Sequence, residues 1–188
     1  MKLQLWIIGA VLSQCLVFSS SLAGVLTGSL EYRCKWWHES QMEGMDMNKP
    51  PAKETEVVLQ KWEYSDPIGV PHPDAFEVVL VLKNLSKQTI PSVELIPELL
   101  WKVGKIKARS SAKLETGPTL KPKSHEGLKS GETVTIRLGE VGFKKYQDGL
   151  FQKGRWPWQL ETKVTIKEVS TKKELLRLSA VLPITPGD

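Results

Sequence analysis

Cys34, His38, Met42, Met45 and Met47 all fall in one stretch, CKWWHESQMEGMDM, which also holds Trp36 and Trp37. Thiolate and thioether are soft donors that favour Cu(I), and imidazole also binds copper. After Met1, the chain has no methionines outside this window. A periplasmic copper-binding protein using a methionine-rich loop is therefore one function to weigh. The competing reading is structural. Period-two alternation puts Cys34 on one face of a strand with Leu30, Tyr32 and Trp36, where cysteine packs as a small apolar residue. His38 then ends the strand and the methionines occupy a loop. Thioether–aromatic contacts worth about 0.3–1.5 kcal/mol are enough to hold them near the tryptophans. The spacing matches no closed ligand pattern. Structure is thus favoured over metal, with Cys34 the weakest member of the candidate ligand set.

Two further groups have the chemistry of recognition. Arg155, Trp156 and Trp158 form a candidate aromatic surface for a sugar ring or a peptide, with the guanidinium able to stack on an indole. This makes a carbohydrate-binding module a second alternative. Alternation places Trp156 and Trp158 on a common face, and in a sandwich strand that face is ordinarily the core. A basic stretch contains Lys102, Lys105, Lys107, Arg109, Lys113, Lys121, Lys123 and Lys129, opposed only by Glu115 and Glu126. It suits acidic lipid heads, envelope polymers or a partner's acidic patch, although a charge run this loose is more often a solvated loop.

Catalysis finds no support in the motifs. His38, His72 and His125 stand in unrelated settings, and none belongs to a hydrolase, zinc or phosphate-binding pattern. The expectation is a protein that is not an enzyme and needs no cofactor, copper being the alternative. Asn84-Leu85-Ser86 is a glycosylation sequon, read here as unmodified.

The elements that must position these groups are strands. Leu30 to Trp36 alternates cleanly, and Val58 to Tyr64 alternates more weakly. Phe76 to Lys83 is apolar on both faces near its middle, as in a central strand. Val93 to Val103 is broken by Pro97, which predicts two short strands or one bulged edge strand. Thr133 to Leu138 alternates. Gln159 to Val169 and Glu174 to Pro183 read as a hairpin turning at Ser170-Thr171-Lys172. No helical stripe is evident. The span from Gly104 to Lys129 is long for a loop and predicts either a functional loop or a hidden strand near Ile106 to Ala108. The fold class that follows is all-β: a single antiparallel β-sandwich of about seven strands.

The run FEVVLVLKNLS (76–86), followed by IPSVEL (90–95) and by LKSGETVTI (128–136), resembles the bacterial immunoglobulin-like modules of the cell-adhesion (CARDB) type over the middle third of the chain. The shared pattern is a strand ending in lysine-asparagine and a leucine-x-x-glycine-glutamate-threonine entry into a later strand. That resemblance implies an immunoglobulin-like fold and a non-catalytic accessory or adhesive role. The basic stretch and the N-terminal region depart from it.

The N-terminus sets the compartment. Lys2, an apolar run from Leu3 to Phe18, and Ser21-Leu22-Ala23 read as a signal peptide over residues 1–23, leaving residues 24–188 as the domain. The run is too short and too polar to persist as a membrane span. Leu12-Ser13-Gln14-Cys15 is a partial lipoprotein box, so anchoring through Cys15 is an alternative localisation. Loss of the signal would leave Cys34 without an internal disulfide partner and lower the formal charge from +5 to +4. Export and interspersed acids argue against nucleic acid as a partner. The expected function is an exported, periplasmic or extracellular, non-catalytic β-sandwich. It would bind a protein or cell-envelope partner, and no feature of the chain specifies an oligomeric state.

Overall fold

Strand-forming residues alternate along most of the chain, and the computed structural model, which describes residues 25–36, 55–64 and 74–186, turns that alternation into two sheets. Strand β1 (Leu26–Trp36) turns Leu26, Leu30, Tyr32 and Cys34 inward. It pairs antiparallel with β2 (Thr55–Val58) on one side and β4 (Phe76–Asn84) on the other. Strand β8 (Thr133–Val141) completes this sheet in the order β2-β1-β4-β8.

The second sheet has the order β3-β10-β9-β5-β6. Its members are β3 (Trp62–Tyr64), β5 (Val93–Lys105), β6 (Ala108–Glu115), β9 (Arg155–Glu168) and β10 (Glu174–Pro186), with β7 (Lys123–His125) pairing with the start of β5. Every pairing is antiparallel except β3 with β10, which is parallel. Strands β1, β4 and β8 face β5, β9 and β10 as strands A, B and E face C, F and G in an immunoglobulin-type sandwich, with β6 added beside β5. Seven of the strands are eight residues or longer.

Between the sheets lies a continuous core whose largest fully buried side chains include Trp101, Trp156, Phe76 and Phe143. Tyr32 ties the layers together: its hydroxyl bonds Thr162 Oγ1 and the Ala180 carbonyl, each at 3.0 Å. This satisfies a polar tip that would otherwise be orphaned in the core.

Several elements differ from the reading of the sequence. Val58 to Tyr64 is not one strand: β2 stays beside β1, whereas β3 crosses to β10 in the other sheet. Strand β5 is one continuous strand and is internal to its sheet, not an edge. Pro97 is tolerated because β7 pairs with Val93–Leu95 and β6 with Trp101–Lys105, leaving an unpaired gap where the missing N–H does no harm. The hidden strand begins at Ala108, just after the turn at Ile106–Lys107. A helix, α1 (Phe143–Phe151), joins β8 to β9, where no helix was expected. It buries Phe143, Gln147 and Leu150, and Phe143 stacks on Trp101 with centroids 5.8 Å apart. Aromatic packing thus holds a segment whose intrinsic propensity is too weak to hold itself.

The signal region with Cys15, and His38, Met42, Met45, Met47 and His72, lie outside the described residues.

Candidate functional site

The topology gathers most of the candidate residues at one end of the sandwich. The end of β1 with Cys34, the end of β5, the start of β6, helix α1 and the start of β9 all meet there. The contacts of Phe143 with Phe76, Trp62 and Trp101 mark this end.

Cys34 faces inward opposite Val57 and is buried. Burial pushes its thiol pKa up to about 11, so near neutral pH it is a protonated thiol and not the thiolate that binds metals or attacks electrophiles. It contributes to a crevice of about 420 Å³ whose other walls include Glu56, Phe76, Glu77 and Arg137. Beside it a chain of ion pairs crosses the outer face of the sheet. Arg33 pairs with Glu31 at 2.6 Å and Glu56 at 3.0 Å; Arg137 pairs with Glu56 at 2.7 Å and also with Glu77. The hydrogen bond from Arg137, reinforced by Arg33, holds the Glu56 carboxyl below its ordinary range. Val79 points to this outer face yet is fully buried, flanked across the ladders by Glu31 and Arg137. Among the described residues no group of three His, Cys, Asp or Glu side chains is placed to hold a metal ion.

The aromatic and basic candidates, far apart in sequence, come together on the β5–β6 hairpin. Lys105 pairs across the ladder with Arg155, and Gly104 with Trp156. A register shift next to Lys102 leaves Trp158 as the extra residue of a bulge between Pro157 and Gln159. Trp156 and Trp158 are both buried. The Trp158 indole N–H donates to the Lys105 carbonyl at 3.3 Å, and the Arg109 guanidinium lies 6.0 Å from its ring centroid. Arg155 is half-buried and pairs with Glu115. Stacking a sugar needs an open ring face, and these indoles are instead closed in by the hairpin and the core.

Glu115 is therefore already engaged. Among the described residues, no ion pair joins a carboxylate to Lys102, Lys105, Lys107, Arg109 or Lys113, all of which are exposed. Lys121 and Lys123 stand apart on the run leading into β7. Lys123 is drawn to the other sheet, its Nζ donating to the Arg137 carbonyl at 2.7 Å. The end of the sandwich also carries residues that sequence reasoning passed over: Lys145, Lys153 and the exposed Phe151 of the α1 region. Their signal was present in the helical spacing of Phe143, Tyr146 and Leu150.

Fold and site together define an immunoglobulin-like β-sandwich with a helix inserted between its eighth and ninth strands and a cationic hairpin beside that helix. Comparison with protein-family models gives no match, and comparison with characterised proteins finds no significant relative.

Proposed function

We propose that the chain is an exported, non-catalytic binding module that engages an acidic partner at the cell envelope through the β5–β6 hairpin. The observation that carries this reading is the set of exposed cations Lys102, Lys105, Lys107, Arg109 and Lys113, none with a carboxylate partner among the described residues. Some other exposed cations of the described residues are paired, as Lys172 is with Glu94 and Arg177 with Glu174. Unneutralised cations along a hairpin steer an oppositely charged surface towards it. The signal-like N-terminus and the resemblance to adhesion-type modules point to the same compartment and role.

The test is cosedimentation of the purified protein with isolated cell envelopes at low and high salt. The wild type is expected to be retained at low salt and released as ions screen the contact. A Lys102→Glu/Lys105→Glu/Lys107→Glu variant, which leaves the Arg109–Trp158 contact in place, is expected to lose retention with an unchanged melting temperature. Equal retention of the two proteins overturns the proposal.

A further inference from the structure

A crevice of about 450 Å³ opens between α1 and the segment that carries Pro118. Tyr146, Gly149 and Leu150 line it, and the exposed Lys145 and Lys153 border it. No carboxylate lines the crevice itself among the described residues. Asp74, Glu140 and Asp148 line an adjoining groove along α1 that shares Gly142, Lys145 and Gly149 with this crevice, and Glu115 is engaged by Arg155. The lining is thus mainly apolar, with positive charge at its border.

Neither glycine of this crevice is required by a left-handed backbone or by a close approach among the described residues. Gly149 sits within the helix, where glycine is less favourable than alanine. A Cβ built there meets nothing within 4 Å, and its φ is not in the left-handed region. Gly142, at the mouth of the helix, is equally unconstrained, with φ −68° and open space where a Cβ would stand. Gly142 is the helix N-cap, where glycine is acceptable, whereas at Gly149 the helix would be better off with a side chain, and the space left there opens onto the crevice. The Tyr146 hydroxyl is buried and has no hydrogen-bond partner among the described residues, an arrangement that ordinarily destabilises a fold. The crevice adjoins the basic hairpin, since the Ile106 N–H donates to the Gly154 carbonyl at 3.3 Å, one residue beyond Lys153.

We infer that this crevice receives an apolar side chain of the partner, flanked by carboxylates that meet Lys145 and Lys153. The occupant is an acidic-apolar segment of a protein. The inference rests on the partner-binding reading above and assigns that partner a second point of contact, of defined chemistry. A crevice this open and of this size suits one or two side chains, whereas a free acyl chain would need a deeper channel.

The experiment pans a random peptide display library on the full chain, with the Gly149→Leu variant as the filled-crevice control. The wild type is expected to enrich peptides that combine Asp or Glu with Leu, Phe or Trp. Their affinity is expected to fall at least tenfold on Gly149→Leu and on Lys145→Glu/Lys153→Glu. Gly149→Ala, which adds a single methyl, is expected to keep or raise the melting temperature, separating loss of fold from loss of space. Failure to enrich above the Gly149→Leu control, or enrichment without acidic residues, overturns the inference. So does binding of dodecanoate in the crevice without peptide binding. If Gly149→Leu keeps envelope retention that the hairpin variant loses, the partner-binding reading stands and the crevice assignment falls.

Discussion

The side-chain amide of Asn84 donates a 3.0 Å hydrogen bond to the carbonyl of Leu128, 44 residues further along the chain. The same nitrogen reaches the carbonyls of Gln88 at 2.8 Å and Lys129 at 3.0 Å, and Asn84 Oδ1 accepts from the backbone N–H and hydroxyl of Ser86. One fully buried side chain thus joins the turn after β4 to the turn before β8, where Gly131 takes its positive φ of 73°. Asn84→Ala would remove the amide's two donor hydrogens from these carbonyls, which keep Ile90 N–H, Glu132 N–H and the Ser86 hydroxyl as their other donors, and at about 1 kcal/mol per bond the expected loss is about 2 kcal/mol. Urea unfolding of the variant measures it. Because the nitrogen that would carry a glycan is the one making these bonds, the folded protein is expected to resist modification at the sequon. A glycan found on natively folded protein would contradict this.

Acid sensitivity follows from Glu56. Its folded-state pKa lies below the ordinary value of 4.5 because Arg137 and Arg33 hydrogen-bond the carboxylate. The stability this contributes is fully present above the unfolded pKa and is lost as pH falls through the folded value. Between pH 7 and 5 the urea midpoint is expected to stay level, and below about 4.5 to decline. Glu56→Gln is expected to start lower and to decline less steeply. Parallel curves would remove Glu56 as a cause.

Cys34 should be slow to react in the native state. With the thiol pKa raised from 9.0 to about 11, the thiolate fraction near neutral pH is about 100-fold lower than for a free thiol, and burial adds a steric barrier. Iodoacetamide is expected to label the denatured protein rapidly and the native protein at least tenfold more slowly. Comparable rates would mean that the sulfur is open to solvent.

The segment beyond β6 is held down at Trp101. The indole N–H donates to the Pro118 carbonyl at 3.0 Å, and a Cβ at Gly117 would stand 2.5 Å from the ring. Gly117→Ala must therefore push the segment off a fully buried tryptophan, with an expected loss of about 1–3 kcal/mol. The near-ultraviolet circular dichroism of the tryptophans reports the displacement.

Periodicity revealed the strands but not their partners. Phe76 to Lys83 was legible as a central strand because burial on both sides leaves an unbroken apolar run, and the β9–β10 hairpin because Ser170, Thr171 and Lys172 interrupt two alternating segments. Alternation continues from Val58 through Trp62, so nothing local announces that the two halves belong to different sheets. Pro97 argued against an internal strand because the gap between β7 and β6 is a tertiary fact. The helix was missed because Gly149 and Asp148 lower its propensity, and its stability comes from Phe143 among Trp62, Phe76 and Trp101. The candidate site was legible as parts only: Lys105 and Arg155 meet across a ladder that no spacing rule connects.

The parallel pairing of β3 with β10 bears on how the protein would carry mechanical load. Leu26 begins β1 at one end of the sandwich and Pro186 ends β10 at the other, in the opposite sheet. Tension between these points runs along both strands. It shears the ladders of β1 with β4 and of β10 with β9 and β3, so many backbone bonds share the force and none is peeled open singly. A module tethered at both points would therefore yield late and abruptly.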